Sequence, residues 1–385
     1  MKEDIRPLLN DAVRLLREMI AIPSPSFEEE KVSQHVSDFL TAAGIMHVRL
    51  RNNIISVNSG YSPDRKTLML CAHLDTVLPA EGYSFDPYRP SISGTCPEAA
   101  SIVAGLGAND DGASAVAMIA VMRYFYSLRL PLNLMLVLSA EEERSGSGGM
   151  EAVCAALKEG LLYENGLTLR TPDWAIVGEP TGMKAAIAER GLLVLDGTAS
   201  GESGHAARNE GVNALYTAID DINRIRNFRF DRISPLMGEV HVNVTQIEAG
   251  TAHNVIPDRC SFVVDIRPNG EYTNSSILDM LQEVCLSRLT PRNLHNRSSS
   301  TKAGSPLLWC AAELGIETFV SPTASDWIRL DCDAVKMGPG DSSRSHRRDE
   351  YVTVGEIEDG IRTYIHFIRH FLKITDYGNT LEQRG

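Results

Sequence analysis

Apolar residues recur at three- and four-residue spacing over residues 8–20, which predicts an amphipathic helix. Pro23 and Pro25 stop it, and a second helical pattern runs over 28–43 until Gly44. Short apolar runs follow at 54–57, 67–72 and 132–138, with a long helical pattern at 113–128 between the last two. Residues 174–177 form one more strand-like run. Strands alternating with helices predict an α/β unit, with a mostly parallel sheet buried on both faces. Ligands in such folds lie beyond the carboxyl ends of the strands. His73, Glu142 and Glu179 all fall there.

The pattern changes after Gly182. Partial alternation at 192–199, 238–249 and 260–267 predicts strands, and helical stretches intervene at 213–227 and 275–289. That order predicts a small α+β domain with an antiparallel sheet. The polar stretch 290–305 reads as a return linker, after which the α/β pattern resumes and 354–372 closes as an amphipathic helix. The expected organisation is a discontinuous domain, 1–182 with 293–385, carrying an inserted domain at 183–292. A length of 385 residues accommodates two cores.

Composition narrows the function classes. Hydrophobic content of 43% and charged content of 23% describe an ordinary globular protein. A formal charge of −13 argues against nucleic acid or an anionic membrane as partner, since both require a basic face. The seven cysteines are scattered and contain no C-x-x-C pair, so neither a disulfide framework nor a zinc knuckle is expected. The first twenty residues lack the apolar core and small-residue cleavage site of a signal peptide. The longest apolar stretch, near 130–138, is too short to span a bilayer. A cytoplasmic protein is expected.

Five short motifs then carry the chemistry: CAHLDTV (71–77), GLGANDDGAS (105–114), LVLSAEEERSG (136–146), VGEPT (177–181) and GPGDSSRSHRRDEY (338–351). His73 and Asp75 leave the strand on the same side, so Asp75 can accept from the ring nitrogen that faces away from a metal. The glycine-rich stretch before the third helix lacks a G-K-[ST] ending, and its Asp110 and Asp111 would repel phosphate. An aspartate at such a junction can instead lay its oxygens across two cations about 3.5–4 Å apart. Helix capping is the alternative for both aspartates. Glu141, Glu142 and Glu143 follow a buried strand and repel one another unless cations or solvent are near. That favours one ligand plus one general base.

These motifs, their order and the inserted domain resemble the M20 metallopeptidase family of amidohydrolases and deacylases, in particular its acetylornithine deacetylase-type branch. SGHAARNEG (203–211) and AGTAHNVIPD (249–258) extend the likeness over nearly the whole chain. The resemblance implies a zinc-peptidase-like catalytic domain plus a dimerisation domain, two zinc ions (or cobalt) and a homodimer. It makes Asp110 the bridging ligand, with His73 and Glu179 at one metal and Glu143 and His346 at the other. Glu142 matches the general base, and a one-residue slip would make Glu141 the base and Glu142 the ligand. His205 matches a histidine that reaches the partner subunit's active site and stabilises an oxyanion. Asn254 and Arg267 match positions that bind a substrate carboxylate, although Arg267 could pair with Asp265 or Asp258 instead. Leu106 and Asp111-Gly112 depart from the residues many members carry, which weakens assignment to the succinyl-diaminopimelate branch.

The implied reaction is hydrolysis of an amide between a small acyl group, acetyl or succinyl, and the α-amine of an amino acid such as ornithine, in arginine biosynthesis. A dipeptidase or carboxypeptidase of the same family is the nearest alternative. A non-catalytic relative that serves as a binding module is the alternative from another class, and the complete set of competent side chains argues against it.

Overall fold

The computed structural model describes residues 4–93, 101–164, 166–208 and 210–382; Cys96 lies outside them. Along the chain come α1 (Arg6–Ile20), α2 (Glu30–Ala42), β1 (Val48–Leu50), β2 (Asn53–Val57) and β3 (Thr67–His73). Next are β4 (Ile102–Ala104), α3 (Gly112–Phe125), β5 (Asn133–Ser139), α4 (Met150–Lys158), β6 (Trp174–Val177) and β7 (Ala185–Glu189). Then follow β8 (Leu193–Ser200), α5 (Ala214–Asn227), β9 (His241–Ala249), β10 (Arg259–Arg267), α6 (Asn274–Val284) and β11 (Arg288–Pro291). The chain ends with α7 (Pro306–Glu313), β12 (Asp333–Lys336), β13 (Tyr351–Thr353) and α8 (Val354–Glu382).

Two compact units result. The first comprises Met1–Ile187, Thr301–Phe319 and Ser325–Gly385, and the second Ala188–Ser300 and Val320–Ala324. The first division falls inside strand β7 rather than at the expected 182, the second follows Ser300 rather than 292, and Val320–Ala324, expected in the first unit, groups with the second.

In the first unit the main sheet runs β1-β2-β5-β3-β6-β12-β7. Its centre is parallel: β3 pairs with β5 from Thr67↔Asn133 to His73↔Ser139, and with β6 from Leu68↔Trp174 to Cys71↔Val177. Every residue of β3 and β5 is buried, as expected of parallel strands covered on both faces. Alternation sends Leu68, Leu70 and Ala72 into one core with α1, α3 and α8. Met69 and Cys71 enter the opposite core with α4 and Trp327. Helix α3 is apolar around nearly its whole circumference, which suits a helix enclosed by protein. The parallel register brings the carboxyl ends of β3, β5 and β6 side by side.

The second unit is a four-stranded antiparallel sheet, ordered β9-β10-β8-β11, with α5 and α6 packed on its apolar face. Strands β8 and β10 alternate buried and part-exposed positions. Asn213 and Thr273 cap the two helices by accepting the amides of Leu215 and Ser276. One expectation is corrected here. The helix expected over 275–289 ends at Val284, and Arg288–Pro291, expected as helix end and linker start, is a strand paired with β8. The buried Asp221 on α5 accepts the amides of Leu286 and Ser287, and this tertiary contact turns the chain out of the helix.

Candidate metal centre

His73 is the last residue of β3, directly beside Ser139 at the end of β5. Its Nδ1 lies 2.9 Å from the backbone carbonyl of Asp75, which can only accept, so Nδ1 carries the proton. Its Nε2 faces Asp110 Oδ1 at 3.3 Å. The Asp75 carboxylate also stands beside the ring, with Oδ1 3.5 Å from Nδ1. The same carboxylate accepts the amides of Glu142 and Glu143, each at 3.0 Å, and the Ser26 hydroxyl at 2.7 Å.

Asp110 stands just before α3, and the Asp110–Asp111 peptide is cis. Its two oxygens are divided between two histidines, with Oδ1 toward His73 Nε2 and Oδ2 3.8 Å from His346 Nε2. His346 Nε2 is also 2.9 Å from Glu143 Oε1. Asp111 occupies the capping position of α3, yet its carboxylate accepts the His73 amide at 3.3 Å rather than capping the helix. Burial pushes Asp111 up to about 8.

The glutamate triplet separates by backbone geometry. Glu141 adopts a left-handed φ of 59°, and its carboxylate turns back to accept the Gly148 amide at 2.8 Å. A Cβ on Gly146 or Gly148 would stand 2.1 Å from that carboxylate, so a side chain at either position would have to displace it. Glu142 and Glu143 remain directed to the centre: His73, Glu142 and Glu179 place ligand atoms within 4.8 Å of one another, as do His73, Asp110 and Glu143. Glu179 follows Gly178, where an added Cβ would meet Ser114 at 2.6 Å; the glycine lets the end of β6 approach α3.

Electrostatics favour a cation among these groups. Burial pushes Glu142 well above the usual carboxylate range, and Glu179, Asp326 and Glu143 add repulsion. Burial and the Asp110 charge do the same to Glu179, partly offset by Lys336. Burial opposes charging His73, but the carboxylates of Asp110 and Asp75 outweigh it and raise the ring well above its ordinary value. Two imidazoles and four carboxylates drawn together in this way fit divalent cations with oxygen and nitrogen ligands.

Four supporting residues were not singled out from the sequence: Glu29, Asp326 and Lys336 lie outside the five motifs, and Glu350 stands near the end of the last one. Glu29 is fully buried and accepts the Glu141 amide at 3.0 Å. Asp326 accepts the Ser139 hydroxyl at 2.5 Å, and burial pushes it up to about 6. Lys336 is a buried cation whose charge favours the ionised form of Glu179. Glu350, raised to about 7 chiefly by burial, accepts amides of the loop that carries Asp110.

The remaining candidates lie in the second unit. His205 is exposed in a short strand paired with Val255, and its Nδ1 accepts the Ala207 amide at 3.1 Å. The exposed Asn254 accepts the Ala206 amide through its backbone carbonyl at 3.1 Å. Arg267 forms a two-pronged pair with Asp265, at 2.8 and 3.1 Å, so its guanidinium is engaged within its own strand. Among the described residues no helix is long and apolar enough to cross a membrane.

Comparison with known proteins matches residues 187–292 to the peptidase dimerisation domain of the M20 family and residues 53–161 to peptidase family M28. Acetylornithine deacetylase of Proteus mirabilis is 26% identical over 90% of this chain and 93% of its own length. Succinyl-diaminopimelate desuccinylase of Wolbachia pipientis is 22% identical, covering 95% of this chain and 94% of the relative. The solved Bacillus subtilis YXEP protein, described as a dinuclear metal-binding peptidase of the M20 family, superposes with a TM-score of 0.68. It shares 14% identity over 96% of this chain and 99% of its own, which is a likeness of fold. The matched insert and the full-length relatives together favour the M20 over the M28 likeness: the chain is similar to M20 peptidases along its length, and it is a metal-dependent hydrolase of amide bonds.

Proposed function

We propose that the enzyme removes a small acyl group, acetyl or succinyl, from the α-amine of an amino acid, with N-acyl-L-ornithine as the favoured substrate in arginine biosynthesis. The observation that carries the chemistry is Asp110, whose two oxygens face His73 and His346 separately. The deacylase identity of relatives aligned over at least 90% of this chain supports the substrate class.

In this reading Asp110, His73 and Glu179 would hold one zinc or cobalt ion, and Asp110, Glu143 and His346 would hold the other. Bound there, the cations supply Lewis acidity toward water and the amide carbonyl. Glu142 takes the proton of the attacking water and returns it to the departing amine. Its raised affinity for a proton suits that exchange. Asp75 holds the Glu142 amide and so aims the base. Asn254 and Arg267 would select a free amino-acid carboxylate, for which Arg267 must exchange its pairing with Asp265. His205 of the partner subunit would steady the developing oxyanion in a homodimer, and the matched dimerisation domain supports that assembly.

The six described cysteines are all free, which supports a reducing cytoplasmic setting. A charge of −13 argues against nucleic-acid or membrane partners. The alternative is a dipeptidase or carboxypeptidase with the same chemistry, whose substrates also present a free carboxylate to Arg267. The test is amine release from N-acetyl- and N-succinyl-L-ornithine beside dipeptides, with and without added zinc. Zinc-dependent release from one ornithine substrate establishes reaction and acyl group; cleavage of dipeptides alone replaces the deacylase with a peptidase.

A further inference from the structure

We propose that Glu350 is the positioning residue that preassembles the two-cation centre by holding Asp110 and the His346 segment in one frame. This rests on Asp110 being the ligand shared by the two cations.

Glu350 is 2% exposed and contributes no ligand atom to the acidic clusters at the centre. Its Oε1 accepts the amides of Asn109 at 2.8 Å and Asp110 at 2.9 Å, and its Oε2 accepts that of Gly107 at 3.1 Å. Its own carbonyl accepts the Gly105 amide at 3.0 Å. Successive amides curled around an anion form the type of concavity that loops use to bind phosphate. Here the anion is a side chain from more than two hundred residues away.

The grip extends in two directions. Strand β13 begins one residue after Glu350 and pairs antiparallel with β4, which leads into the Asp110 loop. At the other end of the His346 segment, the Asp341 amide donates to Asn109 Oδ1 at 2.9 Å, and Asn109 Nδ2 donates to the Asp341 carbonyl at 3.1 Å. The stretch from Asp341 to Glu350 is therefore tied at both ends to residues 107–110, and His346 lies within it. A carboxylate is the side chain for this task, since it offers acceptors on both oxygens and no donor. The same loop must present an aspartate to two cations, so fixing its backbone beforehand removes an ordering cost from metal binding.

The test uses the metal-stripped full-length protein, titrated with zinc by calorimetry, as wild type, Asp110→Asn and Glu350→Gln. Circular dichroism checks the fold of each. Glu350→Gln is expected to weaken zinc binding about 10–100-fold, the range typical for partners of metal ligands, and to lower kcat with little change in KM. Binding of two zinc ions by Glu350→Gln with wild-type affinity overturns the proposal while leaving the reading of Asp110 intact. Two ions held at wild-type affinity by Asp110→Asn overturn that reading, and the proposal with it. Hydrogen exchange followed by mass spectrometry on residues 105–111 of the metal-free wild type decides the matter if the Glu350 variant does not fold. Slow exchange before metal is added is the expected result. Fast exchange that slows only on adding zinc shows that the metal, rather than Glu350, orders the loop.

Discussion

Asp75 Oδ1 accepts the backbone amide of Glu142 at 3.0 Å, joining the end of β3 to the turn after β5. Oδ2 takes the next amide, of Glu143, at the same distance. Asparagine at position 75 would keep one acceptor and set a donor against the second amide. Asp75→Asn is therefore expected to lower kcat about 10–100-fold with metal still bound. Ser26→Ala removes only a hydroxyl donated to the same carboxylate and should cost much less. Steady-state kinetics beside metal analysis checks this, and an unchanged kcat in Asp75→Asn would show that the turn holds without it.

The three glutamates should separate cleanly by isosteric substitution. Glu142→Gln is expected to retain metal and lose activity by about 10²–10⁴-fold, the usual weight of a positioned general base. Glu143→Gln should lose one equivalent of metal. Glu141→Gln should keep most of its turnover, because that carboxylate serves the Gly148 amide. An inactive Glu141→Gln beside an active Glu142→Gln would move the register by one residue.

Chelation should abolish amide hydrolysis, and zinc or cobalt should restore it. A ligand that binds only the folded state at 100 times its Kd stabilises by about 2.7 kcal/mol. Thermal melting across a series of zinc concentrations should therefore rise with free metal. A melting temperature indifferent to zinc would mean that the centre holds no metal under those conditions.

Glu164 tests the electrostatics far from the centre. It is 5% exposed, Oε2 has no hydrogen-bond partner, and burial raises its carboxyl from 4.5 to about 7. The folded state thus holds the proton more tightly than the unfolded chain. Its contribution to stability is fully present below pH 4.5 and is lost as pH rises through about 7. The loss above that range is about 3 kcal/mol at most for a shift from 4.5 to about 7. Urea unfolding at pH 5 and pH 8 should show Glu164→Gln more stable than wild type at pH 8 and nearly equal at pH 5. Equal differences at both values would count against a buried charge.

Helices and strands of the first unit were legible because their signals are local: period 3.6 in α1, continuous apolar runs in β3 and β5, and proline and glycine at the breaks. Strand β11 was not legible, since Arg288 and Leu289 read as the end of a helix and Thr290 and Pro291 as polar linker, and the stretch acquires its conformation by pairing with β8. Arg267 shows the intermediate case. Two-residue alternation puts Asp265 and Arg267 on one face, and the sequence allowed both a substrate fork and the internal pair that the fold adopts.

The sequence by itself determined the α/β alternation, the inserted domain and the placing of His73, Glu142 and Glu179 at strand ends, because strand length and turn chemistry are written in neighbouring residues. Only the tertiary structure decided which glutamate of the triplet turns away and which atom of Asp75 meets the His73 ring. It also decided which side chain holds the loop of Asp110. The Asp75–Glu142 contact closes 67 residues of chain and the Glu350–Asp110 contact 240. A carboxylate accepts whichever amides the packed core brings within reach, and no local pattern of residues specifies that choice.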